Sequence, residues 1–201
     1  MKPKIVFIIL DQFADWEYAP LAAELSMGQS GIMPHEVLYA SDSKDLKTSI
    51  GNIKVKPDLT LEEIPGDAAG LVLVGGKSWR QPVAEPVAPI VRRFMAEGKI
   101  VGAICDAARF LGAHGLLNEG GHTANFLEEL TEEPLYTNAE GFVAEDAASD
   151  RGLVTANGNA PYKFARLMLL ALGASTQGAD MWYEFYTTDF RSALAKYFPN
   201  S

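Results

Sequence analysis

Among 201 residues there is a single cysteine, Cys105, and its surroundings suit a nucleophile. It follows the short apolar run Ile100-Val101-Gly102-Ala103-Ile104 and is itself followed at once by helix-forming residues. A buried strand that turns sharply into a helix lifts such a side chain to the edge of the sheet, where it can attack a substrate. Unpaired N–H groups and the dipole at a helix N-terminus also favour a thiolate, so the local sequence predicts a thiol titrating below its ordinary value. The competing reading is an inert cysteine, which behaves as a small buried hydrophobe.

Three further features could complete a site around that sulfur. Gly75 and Gly76 end another apolar run, residues 70–74, and glycines there let the backbone come close to a ligand. The N–H groups of Gly76 and of Asp106, the residue after the nucleophile, could form an oxyanion hole. Glu17 lies just past the first apolar run, where its carboxyl could exchange protons with the thiol. Its alternative role is that of a first-turn acid favoured by the helix dipole, which also fits Asp106, with Asp15 as the helix cap. For a Cys–His pair, His114 lies nine residues further along the same helix, roughly 13 Å away along its axis, and is out of reach. His122 sits in the following loop, from which it could return to the crevice or simply remain solvated.

These residues need a scaffold that brings several strand ends together. Residues 4–10 read as a buried strand and 16–27 as a helix, followed by a strand at 35–39 and a hairpin at 47–56. Residues 57–65 read as a link with a possible turn of helix. The strand at 70–74 leads through a proline-rich stretch into a helix ending at Gly98, then to the Cys105 strand and a helix stopped by Gly115. A short helix at 126–130 and strands at 142–145 and 152–155 follow. Helices at 161–172 and 178–198 close the chain. Strands that are apolar throughout and alternate with helices predict a parallel sheet covered on both faces. The expectation is one α/β domain over residues 1–201, a three-layer sandwich of flavodoxin-like type. In such sheets ligands gather outside the C-terminal ends of the strands.

Composition narrows the function. The chain is 48% hydrophobic and 21% charged, ordinary for a soluble globular protein. A net charge of −9 argues against nucleic acid, and the first apolar run is too short to span a membrane. One cysteine excludes an intrachain disulfide and points to a reduced, cytoplasmic location. With only three histidines at no ligand-like spacing, no metal site is expected. Gly76-Lys77-Ser78 lacks the glycine that a Walker A loop needs five positions earlier, since residue 71 is Leu, and no GxGxxG follows the first strand. No cofactor is expected.

Taken together, KIVFIILDQFADWE, LVLVGGKSW, the A-I-C elbow with its downstream G-L-L, and LVTANGNAPYKFARLMLLAL resemble the ThiJ/PfpI superfamily, of class I glutamine amidotransferase-like fold, over essentially the whole chain. The resemblance implies Cys105 as a nucleophile or redox-sensitive thiol, with Glu17 as its partly buried acid and the N–H groups at Gly76 and Asp106 as oxyanion binders. It also implies a homodimer and a small-molecule substrate. Protease-like members carry His directly after the Cys, where this chain has Asp106, so peptidase activity is not expected. Many relatives place His or Trp where Asn125 aligns, and an amide there can orient substrate or water but is a poor base. The reading that follows is a cysteine-dependent hydrolase, amidase or glyoxalase-like enzyme. Its alternatives are a thiol redox sensor or stress-protective protein, and a degenerate binding member.

Overall fold

The computed structural model describes residues 2–199. The chain runs β1 (Lys4–Ile8), α1 (Asp15–Met27), β2 (Glu36–Ser41), β3 (Lys47–Thr48), β4 (Lys54–Val55), β5 (Leu59–Thr60), β6 (Gly70–Leu73), α2 (Val87–Ala96), β7 (Ile100–Ile104), α3 (Asp106–Ala113), α4 (Leu127–Thr131), β8 (Ala147–Asp150), β9 (Leu153–Ala156), α5 (Pro161–Ala171), α6 (Thr176–Thr187) and α7 (Phe190–Tyr197). Seven strands form one sheet in the order β5-β2-β1-β6-β7-β9-β8. All neighbours are parallel except the terminal pair β8 and β9.

Alternation along the inner strands builds both faces. In β1, Val6 and Ile8 face a layer containing Val87, Val91 and Phe94 of α2 and Ala107 and Leu111 of α3. Ile5 and Phe7 face Leu21 and Leu25 of α1, Phe164 and Met168 of α5, and Trp182 of α6. Strands buried on both sides must be apolar at every position, which is why these runs stand out in the sequence.

Four local expectations are corrected. Residues 142–145 are not a strand: Phe142 makes only an isolated bridge to His122, and the edge strand is β8, a few residues later. Asp15 does not cap α1; Ala14 is the N-cap residue, and the Asp15 carboxylate accepts instead from the Gly51 N–H at 2.7 Å. The closing helix is two, because Thr188 is extended and Asp189 caps a new helix by accepting from the Ser192 N–H. The link at 57–65 contributes the short strand β5 before its single helical turn, Leu61–Glu63.

The chain leaves β1 towards β2 on one side and returns to β6 on the other. The crevice beyond the C-terminal ends of β1, β6 and β7 is therefore the switch point of the sheet. Glu17, Gly75-Gly76 and Cys105 are the residues that follow those three ends.

Candidate active site

Cys105 occupies the junction of β7 and α3 with φ 62° and ψ −132°, a conformation that costs a non-glycine residue about 1–3 kcal/mol. Its backbone is tied on both sides. The Cys105 N–H donates to the Ala156 carbonyl of β9 at 2.9 Å, and its own carbonyl accepts from the Ala108 N–H at 3.0 Å. The strand and helix thus hold the residue in a conformation it would not choose, as a nucleophile elbow requires.

Glu17, in the first turn of α1, is 1% exposed and packs against this cysteine. Two glycines make the contact possible. A Cβ at Gly75 would collide with Glu17 Oε2 and stand 2.7 Å from Cys105 Cβ. One at Gly158 would stand 2.9 Å from Cys105 Sγ and 3.2 Å from Glu17 Oε1. The acid and thiol therefore lie between two stretches of bare backbone. The loops are fastened together by an antiparallel bridge between Phe13 and Gly76, in which the Ala14 N–H donates to the Gly75 carbonyl at 2.9 Å and the Lys77 N–H to the Gln12 carbonyl at 3.1 Å.

Asn125 closes the third side. Its Nδ2 donates to Cys105 Sγ at 3.4 Å, and its Oδ1 accepts from the Gly158 N–H at 2.9 Å. The Gly158 carbonyl accepts from Trp16 Nε1 at 3.0 Å, so the backbone of this one residue is gripped on both sides beside the sulfur. The pocket over the thiol has a volume of about 340 Å³, with Trp16, Phe126, Asn157 and Asn159 completing its walls. A larger apolar groove of about 480 Å³ lies between α6 and α7, away from this chemistry.

The electrostatics reverse one expectation. Burial raises Glu17 from 4.5 to about 7, outweighing the nearby thiol and the Gly75 N–H, which favour the charged form. Neither carboxyl oxygen has a well-formed hydrogen bond. Cys105 rises from 9.0 to about 11, first through burial and then through the charge of Glu17. The Asp106 N–H and the Asn125 amide pull the other way and do not prevail. The helix N-terminus thus acts as expected but is overruled by desolvation. Protonating Glu17 removes the charge that opposes the thiolate, so the titration of each group depends on the state of the other.

The other candidates separate clearly. The Asp106 backbone N–H faces the thiol, whereas its carboxylate is held bidentately by Arg80 at 3.0 Å on both arms. Arg80 also pairs with Glu129 at 2.8 Å. That carboxylate is thereby committed and does not replace the missing histidine. His122 does not join the site. It is 1% exposed, with Nε2 2.7 Å from the Tyr136 hydroxyl and Nδ1 3.1 Å from the Gly120 carbonyl. Burial lowers its pKa, as a structural imidazole sealed from water requires. His114 is likewise occupied, between the Phe110 carbonyl and Glu85. Among the described residues no group of three or more His, Cys, Asp or Glu side chains is arranged to hold a metal ion.

The sequence alone does not mark Trp16, Phe126, Gly158 or Arg80 as part of the site. For Gly158 there is a usable signal, since Asn157-Gly158-Asn159 follows β9 as Gly75-Gly76 follows β6. Arg80 carries no local signal, because its partners are 26 and 49 residues away.

A parallel α/β sheet that lifts a strained cysteine beside a buried acid at its switch point defines a class of cysteine-elbow proteins. The chain belongs to the DJ-1/PfpI family, whose model matches residues 3–171. It is 35% identical over 166 residues to a Bacillus subtilis protein described as the uncharacterized protease YdeA, covering 83% of this chain and 81% of that one. It is 34% identical over 116 residues to the deglycase PfpI of Pyrococcus furiosus, covering 57% and 67%. Among solved structures, a thiJ/pfpI family protein from Bacillus anthracis superposes with a TM-score of 0.89 at 29% identity over 98% of both chains. A DJ-1 superfamily protein from Agrobacterium tumefaciens gives 0.83 at 34% identity, over 92% of this chain and 97% of that one.

Proposed function

We propose that the protein is a cysteine-dependent enzyme acting on a small carbonyl or amide compound, with Cys105 as nucleophile and Glu17 as its proton-transfer partner. The observation that carries this reading is the buried Glu17–Cys105 pair, enclosed between Gly75 and Gly158. A carboxyl raised to about 7 is suited to both accept and return a proton near neutral pH. In the first step the thiol proton passes to the Glu17 carboxylate and the sulfur forms a bond to the carbonyl carbon. The π electrons of the carbonyl move to its oxygen, which the Asp106 N–H and the Gly76 N–H stabilise. Glu17 then returns the proton to that oxygen, or to the leaving nitrogen of an amide. Such a path needs no thiolate at rest, which agrees with a thiol raised to about 11.

The small pocket and the absence of a neighbouring histidine favour a small substrate over a polypeptide. A redox sensor calls for an exposed thiol of low pKa, whereas this one is partly buried and raised, which favours turnover. Among the described residues no helix is long and apolar enough to cross a membrane. A cytoplasmic homodimer belongs to the same proposal, to be checked by light scattering.

The decisive experiment follows small aldehydes, dicarbonyls and amides with wild type, Cys105→Ala and Glu17→Gln. Loss of turnover in both variants, each folded by circular dichroism, is the expected result. Undiminished turnover by Cys105→Ala would refute the proposal.

A further inference from the structure

The strand order β1-β6-β7-β9 places one hydrogen bond across the site. Trp16 belongs to the first turn of α1, which follows β1, and Gly158 belongs to the loop that follows β9. The indole N–H of Trp16 donates to the Gly158 carbonyl at 3.0 Å. The two strands between them, β6 and β7, are those followed by Gly75 and Cys105. The bond therefore joins loops on either side of the strand that carries the thiol. Neighbouring strands lie about 4.8 Å apart, so β1 and β9 are separated by roughly 14 Å within the sheet. Tryptophan is the largest side chain, and it carries its donor on the far part of the ring, which suits it to such a span.

Both ends of this strap are fixed. Beside Trp16, the Asp15 carboxylate accepts from the Gly51 N–H at 2.7 Å, pinning the start of α1 to the β3–β4 turn. At the other end the Gly158 N–H is held by Asn125 at 2.9 Å. Trp16 is 49% exposed, so its bond, more than core packing, sets where the indole lies. Trp16 and Gly158 both line the pocket over the thiol. There is no slack at Gly158, where even a Cβ would stand 2.9 Å from Sγ. Phe126 is also a wall, 61% exposed, but its side chain has no polar atom by which it could be tied across the pocket.

Resting on the nucleophile reading above, we infer that Trp16 is the residue that sets how broad a substrate can be: its indole, tied to Gly158, admits compounds with a narrow reacting end to Cys105 and turns away broader ones. A wall fastened at both ends cannot yield without losing its hydrogen bond, whereas an untied ring can swing aside.

Cys105 is the only cysteine, so thiol-specific reagents report on this pocket alone. Three neutral methanethiosulfonates of increasing girth provide the test: methyl, benzyl and diphenylmethyl. In each case the Cys105 sulfur attacks the reagent's sulfenyl sulfur, a disulfide forms, methanesulfinate leaves and the thiol proton passes to solvent. Rates on the folded protein are divided by those on the urea-unfolded chain, which cancels intrinsic reactivity. Wild type should favour methyl over diphenylmethyl by about tenfold or more, the size of a penalty for forcing bulk into filled space. Trp16→Ala should compress that span to about threefold or less. Trp16→Phe keeps an aromatic ring but loses the N–H, and should narrow the span by about twofold or more. Phe126→Ala should narrow it less than either Trp16 variant. Circular dichroism checks that each variant is folded, and Trp16→Phe alone decides the matter should Trp16→Ala not fold.

Equal normalised rates for all three reagents on wild type would overturn the inference while leaving the nucleophile intact. So would an unchanged span in either folded Trp16 variant, or an equal narrowing by Phe126→Ala. A folded wild type inert even to the methyl reagent, although its unfolded chain reacts, would instead bring down the nucleophile reading on which the inference stands.

Discussion

Replacing Glu17 with Gln should stabilise the protein at alkaline pH while abolishing the proposed turnover. The carboxyl is 1% exposed, and its pKa rises from 4.5 to about 7, principally because burial disfavours the charged form. A folded-state carboxyl raised above its unfolded value binds a proton that the unfolded chain has already released. Stability is therefore full below the unfolded value, falls as pH climbs from 4.5 towards 7, and levels off above that. At 1.36 kcal/mol per pH unit, the loss amounts to on the order of 3 kcal/mol at pH ~8.5. Gln cannot ionise and does not suffer it. Urea unfolding at pH ~4, ~6 and ~8.5 measures the effect, provided the slopes match. Wild type and Glu17→Gln should agree at the lowest pH and diverge steadily, with the variant more stable by on the order of 3 kcal/mol at the highest. Parallel curves across that range would refute the claim that Glu17 is held raised by burial, and with it the proton-transfer role. Divergence would show an acid kept at a cost to stability, which is what a functional site predicts.

Other consequences are as direct. Gly158→Ala should slow alkylation of Cys105 by iodoacetamide about tenfold or more, because the new methyl lies 2.9 Å from Sγ and must displace the loop or the thiol. Arg80→Gln leaves the Asp106 carboxylate unpaired beside the site and should raise the pH midpoint of alkylation, slowing it at neutral pH by about threefold to tenfold. The double variant Arg80→Gln, Asp106→Asn should restore the rate; equal slowing in both would show that the arginine acts through structure rather than charge. His122→Leu leaves the Tyr136 hydroxyl without its ring-nitrogen partner and should lower stability by about 1–3 kcal/mol, seen in urea unfolding, with alkylation of Cys105 unchanged.

The residues that proved legible in the sequence are those whose placement depends on a strand end. Cys105, Glu17 and Gly75 each follow an apolar run buried on both faces, and a parallel sheet brings such ends to one crevice. Long apolar runs can be seen; the partners that decide a polar side chain's role cannot. Asp106 directly follows the nucleophile and His122 lies in the next loop, yet the Asp106 carboxylate is consumed by Arg80 and His122 by Tyr136 and Gly120. β8 is hard to place from sequence because its Ala-Ala-Ser-Asp is a weak strand former, held by antiparallel pairing with β9. The thiol's titration fails for the same reason. A helix N-terminus is a local feature and promises a thiolate, whereas desolvation comes from tertiary neighbours brought in from other loops.

That opposition bears on how the site works. Were the helix dipole to dominate, Cys105 would rest as a thiolate and Glu17 would be a mere neighbour. With burial dominant, the ionisation of each group opposes that of the other, and in the proposed reaction the acid is required to take the thiol proton rather than incidental to it. Gly75 and Gly158 then have a shared purpose. Each omits the Cβ that would push thiol and acid apart, and the Asn125 amide holds the Gly158 peptide against the sulfur they enclose. The strained backbone of Cys105 and the raised carboxyl of Glu17 are both unfavourable alone. They are held in place by a sheet whose apolar layers lie on both sides of the crevice, so the stability needed to sustain the site comes from the same strands that position it.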